Sequence, residues 1–235
     1  MIYHAYEKDF KTLGRQNILE PLKWTEEGWL CVDDDPKRLQ SFAEPQKRQP
    51  FVENFTGESL PIPWFFWHRT TVEPGMKFTK DGLVWKALGQ RIEETNPLLM
   101  KASDHSYEIQ VDVEIEGQAE AGLLLFYDSK NYVGIKLTER GYETGLREGL
   151  PRGRTLRSGV SRSIVKIRND ENSVEFFFSE DNGQTFAKIG TGLDVCGFHA
   201  NTFGGYSSLK PGIISLGEGS ATFRNFRYTP LTKKQ

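Results

Sequence analysis

Residues 107–115 constrain this fold more than any other stretch. Tyr107, Ile109, Val111, Val113 and Ile115 alternate with Glu108, Gln110, Asp112 and Glu114. Successive side chains on a strand point to opposite faces, so this pattern gives one dry face and one wet face, as in a half-buried antiparallel strand. Residues 121–127 are nearly all apolar, the pattern of a strand covered on both faces. Further strand-like runs occupy 64–69, 83–88, 132–137, 164–167, 174–178 and 221–228, the last with Phe223, Phe226 and Tyr228 as core anchors. Turn signals such as Lys80-Asp81-Gly82 separate them, and no long helical period intervenes. The fold class is therefore all-β: an antiparallel two-sheet sandwich of jelly-roll type over residues 59–230. No internal repeat makes residues 60–235 a propeller of their own.

The chain before the sandwich divides in two. Residues 1–32 read as short strands at 2–6, 15–19 and 29–32, separated by turn signals at Lys8-Asp9 and Glu26-Glu27-Gly28. Residues 33–58 change character. Asp33-Asp34-Asp35-Pro36, Pro45, Pro50 and many charges prevent a long regular element. This is a linker laid across a surface, with Phe42, Phe51 and Phe55 to pin it down.

With 235 residues and a hydrophobic content of 37%, the chain can bury a core. The formal net charge of −2, without a dense basic block, argues against nucleic acid as the partner. The one basic run, Arg147, Arg152, Arg154, Arg157 and Arg162, is also rich in Gly and Pro and reads as a solvated loop. No apolar run approaches the length of a membrane span. The opening Met1-Ile2-Tyr3-His4 lacks the basic and apolar regions of a signal peptide. Taken literally, the sequence is soluble and cytoplasmic. In a piece of a longer protein, that amino terminus says nothing about where the parent works. Cys31 and Cys196 neighbour apolar residues without metal-type spacing, which fits two buried free thiols or a single disulfide.

Several local patterns carry possible chemistry. Aromatic residues make up 12% of the chain, enough to serve both core and sugar platforms. Trp64, Trp67, Trp85, Tyr127 and Tyr132 are the candidate stacking residues, with core packing as their competing role because strands alternate. Ser179-Glu180-Asp181-Asn182-Gly183-Gln184-Thr185-Phe186 resembles an Asp-box, a hairpin whose aspartate accepts backbone hydrogens in its own turn; its expected role is structural. Asp104, Asp128 and Asp170 lie in turns and are the candidate carboxylates for a calcium ion, which a sandwich of this kind can bind without requiring one. His4, His68, His105 and His199 lack a nucleophile-elbow context, and Cys196-Gly197-Phe198-His199 is not a metal motif.

The first segment carries a resemblance. Its clusters Met-Ile-Tyr-His-Ala-Tyr-Glu, Thr-Leu-Gly-Arg-Gln, Leu-Glu-Pro-Leu-Lys-Trp and Glu-Gly-Trp-Leu, in that order, resemble the closing strands of the five-bladed propeller of glycoside hydrolase family 43. That family includes β-xylosidases and arabinofuranosidases. The run Ala-Gly-Leu-Leu-Leu-Phe-Tyr-Asp from Ala121, then Asn-Tyr-Val-Gly-Ile from Asn131, is similar to the concanavalin-A-like sandwich that follows the propeller in such enzymes, and Trp64 to Trp67 with Gly82-Leu83 fits the start of that module.

The resemblance implies a concanavalin-A-like module with a propeller remnant at 1–32. It implies that His4 would help hold a metal ion or its waters, and that Arg15 would line a sugar subsite, both only beside a propeller. It implies that the catalytic carboxylates come from earlier blades, since hydrolysis needs an acid and a base flanking the bond. Glu7 and Glu20 carry no catalytic motif, and Glu7 reads as a turn residue. The chain is then expected to be an accessory module that shapes or stabilises the active site of a propeller catalytic domain. The alternatives are a free-standing binder of xylose- or arabinose-containing plant-type glycans, and half of a split β-xylosidase reconstituted in trans.

Overall fold

The structure is a computed structural model that describes residues 1–33, 35, 49–68, 74–86, 89–145 and 153–231. Phe42 and Pro45 of the linker, Arg147 and Arg152 of the basic run, and the ends of the strands read at 64–69 and 83–88 lie outside the described residues.

The first segment forms two antiparallel hairpins. Strand β1 (Ile2–Ala5) pairs with β2 (Gln16–Leu19), and β3 (Leu22–Trp24) pairs with β4 (Leu30–Val32). The sequence reading lacks β3. A three-residue strand offers no period to read, and its pairing with β4 defines it.

The sandwich follows, with β5 (Phe51–Glu53), β6 (Trp64–Phe66), β7 (Met76–Thr79), β8 (Gly82–Lys86) and β9 (Leu98–Met100). After them come β10 (Ser106–Asp128), β11 (Asn131–Thr138), β12 (Gly141–Thr144), β13 (Arg154–Leu156), β14 (Arg162–Asp170), β15 (Ser173–Ser179) and β16 (Ala187–Asp194). A single helical turn, α1 (Ala200–Phe203), precedes β17 (Lys210–Pro230).

Two long strands organise everything else. β10 runs for 23 residues and β17 for 21, and they pair antiparallel along nearly their whole length. The runs at 107–115 and 121–127 are therefore one strand, not two. Glu116-Gly117-Gln118 joins the two runs as a corner. Gly117 lies opposite Gly219, and Gly117, Gly217 and Gly219 all have positive φ. A Cβ on Gly219 would sit 2.0 Å from the Glu116 carbonyl oxygen, so the two strands cross the corner only with glycine there.

Before the corner, β10 is flanked by β14, β15 and β16, and the far half of β17 carries β5 and the β8–β7 pair. Beyond it, β10 is flanked by β11, β12 and β13, and the near half of β17 carries β9 and β6. These halves are the two layers. The first sheet places Ile109, Val111, Val113, Val165, Ile167, Val174, Phe176 and Phe223 in the core, and the second contributes Leu123, Leu125, Val133, Ile135, Leu137 and Tyr142.

The all-apolar run 121–127 is explained by its register. Leu123, Leu125 and Tyr127 face the core, whereas Leu124 and Phe126 belong to a second apolar cluster on the outer face, with Ile92, Leu99, Tyr132, Ile214 and Leu216. β5, read as linker, pairs with β17, and Phe55 is 1% exposed in the core. The cysteines are both free, but not buried: Cys31 is half-buried and Cys196 is exposed. Cys31 lies on a hairpin with no sheet above it, and Cys196 lies in a turn.

Candidate functional site

The link between β1 and β2 is fastened to the sandwich. Leu13 is buried in the main core. Phe10 stacks on His105, with ring centroids 4.0 Å apart and planes 7° apart. The Leu209 amide donates to the Thr12 carbonyl at 2.7 Å, and Thr12 Oγ1 donates to Asn172 Oδ1 at 2.6 Å. Gly14 takes positive φ where a Cβ would lie 3.1 Å from the Ser208 Cβ, so the backbones approach closely. Glu7 lies in the exposed turn after β1, 3.5 Å from His105 Nε2.

This fastening sets the hairpin opposite the loop between α1 and β17. A cavity of about 270 Å³ separates them, lined by His4, Tyr6, Arg15, Asn17, Ala200, Tyr206 and Ser207. Tyr6 Oη donates to Asn201 Oδ1 at 3.1 Å, and the Arg15 guanidinium lies 5.6 Å from the Tyr6 ring centre. A larger groove of about 640 Å³ shares Arg15, Tyr206 and Ser207 and continues past Trp67, Lys101, Tyr127, Asp128 and Lys210. The structure thus brings together His4, Arg15, Trp67 and Tyr127, which are far apart in sequence.

Two residues of this site escape sequence reading. Tyr206 is 94% exposed, held out by Gly204 and Gly205, both with positive φ. The Gly-Gly-aromatic sequence was the signal for it. Lys210 opens β17 opposite Phe126. Its Nζ donates to Ser207 Oγ and, at 2.8 Å, to the Ser208 carbonyl, and it lies 5.3 Å from the Trp67 ring centre. Burial holds its pKa down at about 8 against the pull of Asp128.

The other stacking candidates lie elsewhere. Trp64 packs on Phe226 and Phe55, with centroids 4.7 and 5.6 Å away, and Trp85 packs near Phe223 at 6.1 Å. They are 6% and 3% exposed, so neither offers a ring face to a sugar. They are the inward members of their alternating strands. Tyr127 is 2% exposed, its hydroxyl donating to the Gly204 carbonyl, and burial raises its pKa. Tyr132 is also buried, on the outer face of the second sheet, with its hydroxyl 3.2 Å from Glu93 Oε1. Trp67 alone among the five keeps a half-buried ring beside a groove.

The remaining motifs are fixed by local bonds. In the Asp-box turn, Asp181 Oδ1 accepts from Ser179 Oγ at 2.7 Å and from the Thr185 amide at 2.9 Å, and Oδ2 accepts from Thr185 Oγ1 at 2.5 Å. These donors hold its carboxyl down at about pKa 2. Phe186 beneath it receives the Lys166 ammonium at 3.7 Å.

A calcium ion takes six to eight oxygen ligands, roughly. Asp104 accepts from the Tyr228 hydroxyl, Asp128 from the Lys130 and Asn131 amides, and Asp170 from the Ser106 hydroxyl, each in its own turn. Among the described residues no group of three or more His, Cys, Asp or Glu gathers as a metal site, around His4 or elsewhere. Among the described residues, these carboxylates are therefore held singly by their own partners rather than gathered around one ion. His199 caps α1, its Nδ1 accepting from the Asn201 amide at 3.2 Å, while the Cys196 amide donates to Asp194.

The fold agrees with that of known proteins. The family model of the beta xylosidase C-terminal concanavalin A-like domain matches residues 52–229, most of the chain, and the chain belongs to that family. The non-reducing end alpha-L-arabinofuranosidase BoGH43B of Bacteroides ovatus is 22% identical over 237 residues, or 90% of this chain and 43% of that protein.

Among solved structures, the xylan beta-1,4-xylosidase of Bacillus halodurans is similar with a TM-score of 0.74 at 16% identity, covering 93% of this chain and 48% of that one. The family 43 protein BlXynB of Bacillus licheniformis gives 0.71 at 17% identity, covering 94% and 48%. At such identities the likeness is one of fold. The chain spans about half the length of these solved relatives, and less of the curated one. Among the described residues, no helix is long and apolar enough to cross a membrane.

Proposed function

We propose that this chain is an accessory module of a family 43-like glycoside hydrolase, supporting and shaping the active site of a propeller rather than cleaving glycosides itself. One observation carries the reading. The two N-terminal hairpins expose Ile2 at 75%, Leu19 at 62%, Trp24 at 72%, Trp29 at 73% and Leu30 at 51%, an apolar surface without a sheet to cover it. Two-stranded hairpins are marginal by themselves, and further blades would complete them. The arm lent to the propeller would be the loop bearing Tyr206, which faces His4 and Arg15 across the small cavity. In that assembly Arg15 would offer a guanidinium fork to sugar hydroxyls, and the His4 imidazole would orient a hydrated cation or a water. The propeller can belong to the same polypeptide or to a second one.

The test is reconstitution. The purified chain is assayed on aryl xylosides and aryl arabinofuranosides, alone and after mixing with a separately produced family 43 propeller, with complex formation followed by light scattering. The expected result is no pentose release alone, a one-to-one complex on mixing, and weaker association for Trp24→Ala with Trp29→Ala. Enzyme-like release by the chain alone would overturn the proposal, as would failure to bind any family 43 propeller.

A further inference from the structure

The outer face of the second sheet carries a feature that propeller support does not use. Beyond the apolar patch of Leu124, Phe126 and Tyr132, this face turns polar. Gly122 lies opposite Lys136, Lys136 opposite Glu143, and Glu143 opposite Arg154, across β10, β11, β12 and β13. Glu120 lies diagonally from Lys136. The charges alternate along the row. Lys136 Nζ pairs with Glu120 and, at 3.5 Å, with Glu143 Oε2, while Arg154 pairs with Glu143 Oε1. Lys136 is only 15% exposed and Glu143 26%, so their positions are set by neighbours on both sides. Gln90 and Arg91 overhang this row from the segment before β9, and Arg91 is braced by Glu94 Oε1 at 3.0 Å. The result is two adjoining cavities of about 550 and 670 Å³ that share Gln90, Glu143 and Arg154.

We propose that this groove binds a neutral, hydroxyl-rich oligosaccharide. The charges of Glu120, Lys136, Glu143 and Arg154 cancel, and the other charged lining residues, Arg91, Glu93, Glu139, Arg140 and Glu218, leave the described groove with no positive excess to favour an anion. Each carboxylate accepts and each cation donates, and a sugar hydroxyl does both, so vicinal hydroxyls match an alternating row. Pre-paired side chains lose little conformational freedom when the ligand arrives. Three strand spacings make the row about 14 Å long, which suits a short oligosaccharide better than a single ring. Tyr132 and Leu216, both largely buried, close one end of the groove. This inference does not rest on docking to a propeller.

The whole chain is titrated calorimetrically with linear xylo- and arabino-oligosaccharides of rising length, a cello-oligosaccharide, and a uronic-acid-substituted xylo-oligosaccharide. Affinity is expected to rise with length and then level off. It should fall at least tenfold in Arg154→Ala and in Gln90→Ala with Arg91→Ala, both exposed changes whose folding is checked by thermal melting. Tyr206→Ala should bind as the parent does. Preference for the cello-oligosaccharide would still support the groove and would name a hexose chain. No binding at millimolar ligand, binding untouched by the groove variants, or tighter binding of the uronic acid would overturn the proposal. Reconstitution with a propeller should be unaffected by Arg154→Ala, so the two readings fail separately.

Discussion

The two ends of this chain use the same secondary structure to opposite effect. In the sandwich, β10 and β17 each pair on both edges and turn at least one face into the core, so Leu123, Leu125, Phe223 and Phe226 are fully buried. In the hairpins each strand has one partner, and Trp24, Trp29 and Ile2 face solvent. Burying apolar area stabilises by about 25 cal/mol per Å². The sandwich realises that gain within the chain, whereas the exposed side of the hairpins leaves it for a partner. Among the described residues, the first hairpin and its link, through Tyr6, Phe10, Thr12 and Leu13, tie the first region to the second. Strand content alone thus does not make a stable unit; the number of covered faces does.

The sharpest way to break this comparison is to truncate one aromatic in each region. Phe226→Ala removes a side chain packed 4.7 Å from Trp64 and should cost about 3–5 kcal/mol in urea unfolding. Trp24→Ala should stay within about 0.5 kcal/mol in the free chain. Equal losses would mean that the hairpins are folded into the core after all. The corner comes next. Gly219→Ala meets the Glu116 carbonyl in a strained conformation and should cost about 3 kcal/mol. Gly159→Ala, also at positive φ but with open space around it, should cost about 1 kcal/mol. If the two cost the same, the corner is not sterically closed.

That corner also marks where the sequence stopped being readable. The alternation at 107–115 gave a strand with the correct inward face, since period two is a local signal. Gly117 is ambiguous locally: a lone glycine among Glu and Gln reads as a turn, and only its pairing opposite Gly219 makes it a bend within one strand. Lys210, Pro211 and Gly212 carry breaker residues, so the start of β17 was invisible until β10 was there to pair with it. The site was legible only in pieces. His4 and Arg15 were found by resemblance and Trp67 by type, but Tyr206 and Lys210 become significant only because the hairpin lies across from them. Trp64 and Trp85 looked the same as Trp67 on paper, and the facing of the strand separated them.

Lys210 tests the seam between the regions. Its folded pKa, about 8, lies below the usual lysine value, so below pH 8 the folded state carries a poorly solvated charge that the unfolded state does not. As pH rises from about 8 to 10.5 the folded lysine loses its proton first, and that cost is relieved. Lys210→Met should therefore be more stable than the parent at pH 7, on the order of 1–2 kcal/mol, with the gap closing by pH 10. Melting curves at both pH values measure it. A constant gap would place Lys210 in solvent and open the groove at its base.

The smallest effect compares two turns. The β3–β4 turn is exposed and held mainly through Thr25, whose hydroxyl accepts from the Trp29 amide at 3.1 Å and bonds to Glu27. The β15–β16 turn is held by Asp181, with donors on both oxygens. Those donors lower its carboxyl pKa to about 2, below the unfolded value near 3.8, so its contribution is fully present above pH 4 and is lost as pH falls through 2. Asp181→Asn should lower the melting temperature slightly at pH 6, and the difference from the parent should shrink between pH 4 and pH 2. A difference that persists at pH 2 would show that hydroxyl and amide donors bind the neutral side chain as well as the charged one. The turn would then owe its order to the positive φ of Asn182 and Gly183 rather than to the carboxylate.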